Sequence, residues 1–318
     1  MFSYLMLDIE SATLSLIGMI FNMFESKFVS MGSLNLMPLH VENCVCPLCE
    51  STHVYEKNYS FHPYRVVQCR DCQLWYLNPR LSEKDMLSQY SDDAYFEGSD
   101  GINEGYSDYS EQEKSLRPTF SRFLSLLNSK QLTGGDLLEV GCGYGYLLDE
   151  AKPYFNQRVG TDFSLGAVKK SLLYADEIFH GGVNEIPQGK TFDCIISVEV
   201  IEHIYDPKTF VEDLYKRLKP GGYLILATPD MGSFWRKGMQ KRWPSFKLPE
   251  HVTYYDDDTL RKLYKDCGFE DIQNLPFPHA FPLSVFFEKL KLDFLPCPKM
   301  NIWFPHVVLG MSARRPYE

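Results

Sequence analysis

The feature that most constrains the fold of this chain is a glycine-rich turn between a strand and a helix. Residues 136–140 form a short apolar run, glycine follows at positions 141, 143 and 145, and a helical pattern begins at Tyr146. Glycine has no Cβ, so the backbone can turn tightly there and approach a ligand closely. The helix that follows directs free N–H groups towards whatever the turn holds. The stretch therefore predicts a ligand-binding turn, and an ordinary strand–helix corner is the alternative.

After this turn, strand and helix patterns alternate along the chain. The strands are predicted at 157–161, 177–179, 192–198 and 223–227, and the helices at 165–174 and 207–218. Such alternation predicts a parallel sheet with helices on both faces, and ligands bind outside the carboxyl ends of its strands. Asp162 ends the second strand, where its carboxylate can accept the hydroxyl hydrogens of a ribose. The alternative role for Asp162 is to cap the next helix.

Two pairs of cysteines near the start of the chain have the spacing of a metal site. Both pairs are of the C-x-x-C type: Cys46, Cys49, Cys69 and Cys72. Each pair turns two thiolates towards one ion, which predicts a tetrahedral zinc site in a ribbon over residues 41–80. Protein ligands fill all four positions, so the zinc is expected to be structural and to supply folding energy to a small lobe. Three other residues are less well placed as ligands: Cys44, His53 and His62.

Composition and charge restrict the partners and the compartment. The net charge is −10, and an acidic surface disfavours nucleic acid, whose binding depends on clustered Lys and Arg. Residues 1–40 include an apolar stretch that is too short to span a membrane and lacks a basic start, so we expect it to be helical or disordered. An odd number of cysteines with C-x-x-C pairs is typical of metal ligation, not of a disulfide framework. We therefore expect a cytoplasmic protein without a transmembrane segment.

Several short motifs together resemble the class I S-adenosylmethionine (SAM) dependent methyltransferases. They are Glu139-Val-Gly-Cys-Gly-Tyr-Gly145, Gly160-Thr-Asp162, Phe192-Asp193, Glu202-His203, Leu218-Lys-Pro-Gly-Gly222 and Thr228-Pro229. The resemblance implies an α/β, Rossmann-like, seven-stranded sheet in residues 131–318, with helices on both faces and an antiparallel last strand at 307–313. Residues 81–130 would form a Tyr-rich linker and a helix before this domain. The four-cysteine ribbon looks like that of bacterial small-molecule and sugar-modifying methyltransferases of this class.

The resemblance also implies that SAM lies across the glycine turn. The residues expected to contact it are Glu139, Gly141, Cys142, Gly143, Gly145, Asp162, Phe163, Val183, Asn184, Ser197 and Glu199.

Histidine is the natural candidate for a catalytic base near neutral pH, because methyl transfer to a hydroxyl group requires removal of its proton. His203 follows the fourth strand. His251 lies in Pro249-Glu-His-Val-Thr-Tyr-Tyr255, which is similar to a Glu-His motif that sugar C-methyltransferases place over the active site. We take His251 as the general base, with Glu250 and His203 as further catalytic candidates.

The sequence Glu199-Val-Ile-Glu202-His203 allows a different chemistry. With a later histidine, it is similar to two groups of metal-dependent O-methyltransferases, one in ubiquinone synthesis and one acting on small-RNA ends. The resemblance implies that Glu199, Glu202, His203 and His251 hold a divalent ion such as Mg²⁺, which polarises the acceptor hydroxyl. Glu-His after the fourth strand is also common in methyltransferases without a metal, where it orders the loop.

The region before the last strand is predicted to be a lid insertion over residues 231–305. Within it, residues 276–305 are rich in phenylalanine and proline, which would suit an apolar or lipid-linked substrate, core packing or a homodimer contact. The leading hypothesis is a methyltransferase acting on a small molecule, such as a sugar, a glycan precursor or a secondary metabolite. The alternatives are a metal-dependent O-methyltransferase and a non-enzymatic module that binds SAM or a partner.

Overall fold

The computed structural model describes residues 41–56, 58–90, 109–283 and 300–317. The predicted apolar segment 1–40 and the middle of the predicted linker lie outside these residues. Within the described ranges, no helix is both long and apolar enough to cross a membrane.

A small N-terminal lobe consists of short antiparallel strands and one helix. Its elements are β1 (Val41–Glu42), β2 (Tyr59–Phe61), β3 (Tyr64–Gln68), β4 (Trp75–Leu77), β5 (Arg80–Leu81) and α1 (Glu83–Tyr90). β1 pairs with β5, while β2, β3 and β4 are consecutive neighbours. Strands this short bury little apolar surface alone. Side chains of the main domain complete the core of the lobe, since Val66 and Leu77 share one hydrophobic cluster with Met231 and Trp243.

The main domain begins with alternating helices and strands. They are α2 (Tyr109–Ser129), β6 (Asp136–Val140), α3 (Tyr146–Glu150), β7 (Gln157–Asp162), α4 (Leu165–Ser171), β8 (Glu177–His180), β9 (Phe192–Val198), α5 (Pro207–Arg217) and β10 (Leu218–Pro229). Short 3₁₀ turns, Val183–Glu185 and Ile201–His203, follow β8 and β9. Asp206 starts α5, because its carboxylate accepts the Thr209 N–H and Pro207 occupies the first turn.

The C-terminal part returns to both sheets. Its elements are α6 (Phe234–Met239), a 3₁₀ turn (Gln240–Arg242), β11 (Thr253–Tyr254), α7 (Asp257–Asp266), β12 (Glu270–Pro276), β13 (His279–Pro282), β14 (Asn301–Phe304) and β15 (Val308–Arg314). β13 and β14 form a separate hairpin. The lid insertion predicted over 231–305 includes β12, which belongs to the main sheet because it pairs with β15.

The seven-stranded sheet has the order β12–β15–β10–β9–β6–β7–β8. The strands from β10 to β8 are parallel, and β15 is antiparallel to both of its neighbours. The predicted Rossmann-like fold with an antiparallel last strand is therefore confirmed. β10 begins earlier than the predicted 223–227, because Leu218 already pairs with Phe192 and a register shift absorbs the Pro-Gly-Gly sequence before Tyr223.

One strand of the N-terminal lobe comes from much later in the chain. β11 pairs with β4, so that Thr253 lies opposite Tyr76 and Tyr254 opposite Trp75. The resulting sheet has the order β11–β4–β3–β2. An isolated bridge between Asp230 and Tyr255 connects the same segment to the end of β10. Backbone pairing therefore joins the lobe to the carboxyl edge of the main sheet.

Candidate functional site

The glycine turn closes at the carboxyl end of β6 in a geometry that favours glycine. Gly141, Gly143 and Gly145 have φ angles of +74°, +50° and +82°, a region that other residues rarely adopt. A Cβ on Gly141 would lie 2.4 Å from Cγ2 of Val200, in the loop that follows β9. The side chain of Val200 therefore packs directly against the glycine turn and brings the 199–203 segment next to it.

The carboxylate of Asp162 lies beside this turn. Its Oδ2 accepts the N–H of Gly143 at 2.8 Å, and its Oδ1 accepts the N–H of Ser164 at 2.9 Å. Burial raises the pKa of Asp162, and these two hydrogen bonds oppose the rise. The cap of α4 is the Ser164 hydroxyl, which accepts the N–H of Ala167. Each oxygen of Asp162 has a further acceptor position, so the carboxylate remains able to accept ribose hydroxyls.

Three predicted cofactor residues lie at the ends of β7 and β8. Phe163 is 56% exposed, and its ring edge lies 3.4 Å from where a Cβ on Gly182 would be. Val183 is buried and Asn184 is exposed. An exposed aromatic ring beside a glycine offers an apolar face to a planar base such as adenine.

Three other predicted cofactor residues are directed into the protein interior. Cys142 is a member of the core, and its Sγ is 2.9 Å from where a Cβ on Gly160 would be. Ser197 donates to the carbonyl of Val140 at 3.2 Å and so connects β9 to β6. Glu139 is buried, and burial together with the charge of Asp162 raises its pKa well above the usual value. Of these three side chains, Glu139 alone keeps an acceptor, Oε2, without a hydrogen-bond partner among the described residues.

A glutamate and two histidines converge next to the glycine turn. The ligand atoms of Glu202, His203 and His251 all lie within 4.8 Å of one another. The rings of the two histidines are edge-to-face, with centroids 4.7 Å apart. Glu199 is outside this mutual set, but it is close enough for its charge to raise the pKa of Glu202. We call these four residues the Glu/His cluster.

The predicted catalytic residue Glu250 contacts the Glu/His cluster with its backbone. A hydrogen bond between the His203 ring and the Glu250 backbone opposes the fall in the pKa of His203.

Within the Glu/His cluster, Glu202 and His251 are buried, while Glu199 and His203 are half-buried. Burial raises the pKa of Glu199 to about 7 and, together with the Glu199 charge, raises the pKa of Glu202 well above its usual value. Burial lowers the pKa of His203 to about 3 and that of His251 well below its usual value. The carboxyl groups therefore resist ionisation, and the imidazoles are neutral.

Several acceptor atoms of the cluster are also unpaired. Within the described part of the chain, Oε1 of Glu199, Oε1 of Glu202 and Nδ1 of His251 have no hydrogen-bond partner. Buried polar atoms are normally satisfied, so such atoms need an explanation. Carboxylates and neutral imidazoles are suitable ligands for a divalent metal ion, and Glu202, His203 and His251 lie close enough together to fit such an ion.

Two residues of this site were given no role by the sequence analysis. Thr228 donates its hydroxyl hydrogen to Oε2 of Glu202 at 2.9 Å and so fixes that carboxylate. The charge of Lys247 lowers the pKa of all four members of the Glu/His cluster. Thr228 could have been found from its place at the end of the fifth parallel strand. Lys247 belongs to no motif, and the sequence indicates its role only through its position four residues before His251.

The four predicted zinc ligands come together in the N-terminal lobe. The Sγ atoms of Cys46 and Cys72 are 3.4 Å apart, those of Cys49 and Cys69 are 3.5 Å apart, and all four lie within 4.8 Å of one another. A tetrahedron of Zn–S bonds of about 2.3 Å separates its sulfurs by about 3.8 Å. The four thiols therefore fit a zinc ion.

The other candidate ligands of the lobe have different contacts. The thiol of Cys44 donates to the carbonyl of Leu77 at 3.6 Å. His53 lies 3.5 Å from a carboxylate oxygen of Asp71 at the surface. His62 lies in the turn between β2 and β3.

Comparison with known proteins identifies relatives of the main domain. Residues 110–274, just over half of the chain, match the methyltransferase domain family. A probable S-adenosylmethionine-dependent methyltransferase of Mycolicibacterium smegmatis is 32% identical over 154 residues, covering 48% of this chain and 58% of that protein. A ubiquinone biosynthesis O-methyltransferase of Maricaulis maris is 31% identical over 121 residues, covering 36% of this chain and 48% of that protein. The chain thus spans about half the length of the curated relatives it matches.

Among solved structures, a SAM-dependent methyltransferase of Thermotoga maritima, described as a possible histamine N-methyltransferase, aligns with a TM-score of 0.49. It is 17% identical, and the alignment covers 65% of this chain and 94% of that one.

Proposed function

Because this chain belongs to the methyltransferase domain family, we propose that it transfers a methyl group from SAM to a hydroxyl group of a small molecule with the help of a divalent cation. The observation that carries this proposal is the contact of Val200 with Gly141. It puts the glycine turn, where SAM is expected, directly beside the Glu/His cluster. Methyl transfer requires donor and acceptor to meet in line, and the adjacency of the two sites allows that.

The residues around the turn fit SAM. Asp162 offers acceptor positions to the ribose hydroxyls, and Phe163 offers an apolar ring to the adenine. Bound SAM supplies a methyl group that its sulfonium already activates. The protein therefore has to hold the cofactor, exclude water and align the acceptor.

The Glu/His cluster supports the divalent cation. Unpaired oxygens of Glu199 and Glu202 and the unpaired Nδ1 of His251 are buried together, as far as the described residues show. A divalent ion bound there would polarise an acceptor hydroxyl and favour loss of its proton. The chain itself holds the ligands in place, since Thr228 orients Glu202 and the Val252 N–H donates to the Glu202 carbonyl at 2.8 Å. The relatives that methylate oxygen in ubiquinone biosynthesis are consistent with an oxygen acceptor.

A second candidate mechanism uses His251 as a metal-free general base, with Glu250 and His203 beside it. The unpaired Nδ1 of His251 favours it, because that atom can accept a proton. The low pKa of His251 makes it a weak base, however. The divalent cation is therefore our leading proposal. Under either mechanism, a sugar, a glycan precursor, a lipid-linked sugar or a secondary metabolite remains the proposed substrate class, and a homodimer remains a prediction.

We also propose that the N-terminal lobe binds structural zinc through Cys46, Cys49, Cys69 and Cys72, since their thiols fit a tetrahedral ion. Eight cysteines of the described residues are unpaired thiols. Such thiols are typical of a reducing compartment, which supports the cytoplasm.

The proposal is tested with full-length protein dialysed into divalent-free buffer, with the zinc content verified. S-adenosylhomocysteine should bind in calorimetry with or without Mg²⁺. Methyl transfer to a panel of phenols, catechols and sugars should require Mg²⁺ or Mn²⁺. It should be lost in Glu202→Gln but not in a control, Glu56→Gln, at an exposed position.

Two outcomes would overturn parts of this proposal. Transfer without added cation that survives Glu202→Gln but not His251→Ala would favour the metal-free base. An absence of heat with S-adenosylhomocysteine would favour a non-enzymatic module that binds a partner.

A further inference from the structure

The segment 251–255, which carries His251, lies between the main sheet and the N-terminal lobe. On the main-domain side, the N–H of Val252 donates to the carbonyl of Glu202 at 2.8 Å. On the lobe side, the N–H of Leu77 donates to the carbonyl of Val252 at 2.9 Å. A single residue next to His251 is therefore hydrogen-bonded to both the Glu/His cluster and β4.

The strand β4 is part of the hairpin that carries two of the four thiols. β3 ends at Gln68 and β4 begins at Trp75, so the loop between them contains Cys69 and Cys72. The N–H of Cys69 donates to the carbonyl of Leu74 across this loop at 2.9 Å. Coordination of both thiols would hold the loop closed and thereby fix the position of β4 next to β3.

Side chains reinforce the backbone connection. Tyr255 is fully buried, and it belongs to the same hydrophobic cluster as Cys46, Cys72 and Tyr76. Its carbonyl accepts the N–H of Met231 at 2.8 Å, just beyond the end of β10. The segment is therefore packed against the cysteine side of the lobe at one end and held against the Glu/His cluster at the other.

We propose that the four-cysteine lobe is a positioning element for the Glu/His cluster. Metal binding by the four thiols fixes the β3–β4 hairpin, and β4 in turn holds β11 so that His251 faces Glu202 and His203. The cysteines act through β4 and touch neither cofactor nor substrate. This inference deepens the proposed function and rests on it for the role of the Glu/His cluster.

The sharpest test is a pair of leucine variants in full-length protein. Leu77→Ala removes a fully buried side chain from β4, and Leu81→Ala removes one from β5 in the same hydrophobic cluster. β5 does not pair with β11, so Leu81→Ala is a matched control for the loss of packing. Both variants should keep their zinc in elemental analysis and their affinity for S-adenosylhomocysteine.

The two variants should differ at the Glu/His cluster. Leu77→Ala should shift the ring NMR signals of His203 and His251 and weaken Mn²⁺ binding, measured by electron paramagnetic resonance, on the order of 10- to 100-fold. Leu81→Ala should leave both near wild type. Equal behaviour of the two variants would overturn the proposal.

Removing and reloading zinc provides a second test of whether the lobe positions the Glu/His cluster. This test remains decisive even if Leu77→Ala unfolds. Removal should shift the same histidine signals reversibly while S-adenosylhomocysteine still binds, and unchanged signals would overturn the proposal. Failure of the proposed function looks different. If the intact protein does not bind Mn²⁺, the divalent cation is excluded, and the histidine signals alone then decide whether the lobe positions His251.

Discussion

The four-thiol cluster and the Glu/His cluster differ in whether the protein alone supplies every ligand that a bound metal ion needs. The four thiols of the lobe come from two short loops, lie within 4.8 Å of one another and would fill every position of the proposed tetrahedral zinc ion. The Glu/His cluster is assembled from residues 199–203 and His251, and within the described residues it retains unpaired acceptor atoms on three side chains. A closed set of ligands suits a structural role. An incomplete set suits chemistry, because a substrate can still approach it.

The largest expected effect comes from replacing one of the four thiols of the lobe. Cys69→Ser should release the proposed zinc and unfold the lobe, because metal binding supplies on the order of 10 kcal/mol to small zinc domains. Elemental analysis and thermal unfolding would measure this. Cys44→Ser is the control, since Cys44 lies outside the cluster and contacts the Leu77 carbonyl. A Cys69→Ser protein that keeps its zinc and its melting temperature would reject the site.

Replacing a ligand residue of the Glu/His cluster should instead raise the stability of the metal-free protein. The folded-state pKa of Glu202 is raised above its usual 4.5, so stability is lost as the pH rises through the folded value. Glu202→Gln should therefore stabilise the metal-free protein at pH 8 by on the order of 1 kcal/mol or more. The gain should shrink towards pH 4, where the carboxyl group is protonated in both states.

The divalent affinity of Glu202→Gln should fall on the order of 10- to 100-fold. Urea unfolding at both pH values and Mn²⁺ titration would measure the two effects. If the metal-free wild-type protein were more stable than Glu202→Gln at pH 8, the expected difference between the four-thiol cluster and the Glu/His cluster would be absent.

Asp162→Ala should affect the cofactor-binding turn without affecting the four-thiol cluster or the Glu/His cluster. It removes the acceptor for two backbone N–H groups and for the expected ribose hydroxyls. One hydrogen bond to a charged group contributes about 1.5–3 kcal/mol, so the loss of even one ribose contact should raise the Kd for S-adenosylhomocysteine roughly 10- to 100-fold. Calorimetry would measure this, with Glu202→Gln as a control that should bind normally. Unchanged affinity would count against the ribose role.

Thr228→Val should have the smallest effect. It removes one hydroxyl donor from Glu202 while keeping the volume of the side chain. The loss of one hydrogen bond is worth about 1 kcal/mol, so Mn²⁺ affinity should fall several-fold, less than in Glu202→Gln. Thr209→Val on the exposed face of α5 should be neutral. An equal loss in both threonine variants would show that Thr228 does not act through Glu202.

The sequence predicted those features that depend on local patterns. Apolar runs marked β9 at Phe192–Val198, and the paired spacing of the cysteines marked the thiol cluster. The positive φ angles of the glycine turn follow from residues that tolerate them.

Features that depend on tertiary contacts were not predictable. The two-residue strand β11 carries no periodic signal, and its partner β4 is distant in the chain. The thiol of Cys142 and the hydroxyl of Ser197 point inward because of the local backbone direction, which the motif does not specify. The hydrogen bond from Thr228 to Glu202 likewise depends on how the ends of β9 and β10 lie side by side.

The late origin of β11 has a consequence for how the protein is made. A ribosome releases β2, β3 and β4 long before it releases β11, so the nascent lobe has an open sheet edge for much of its synthesis. Unpaired strand edges are templates for association with other chains. We therefore expect the lobe to stay incomplete until β11 emerges, although its first strands are made early, and we expect crowded polysomes to favour misassembly during that interval.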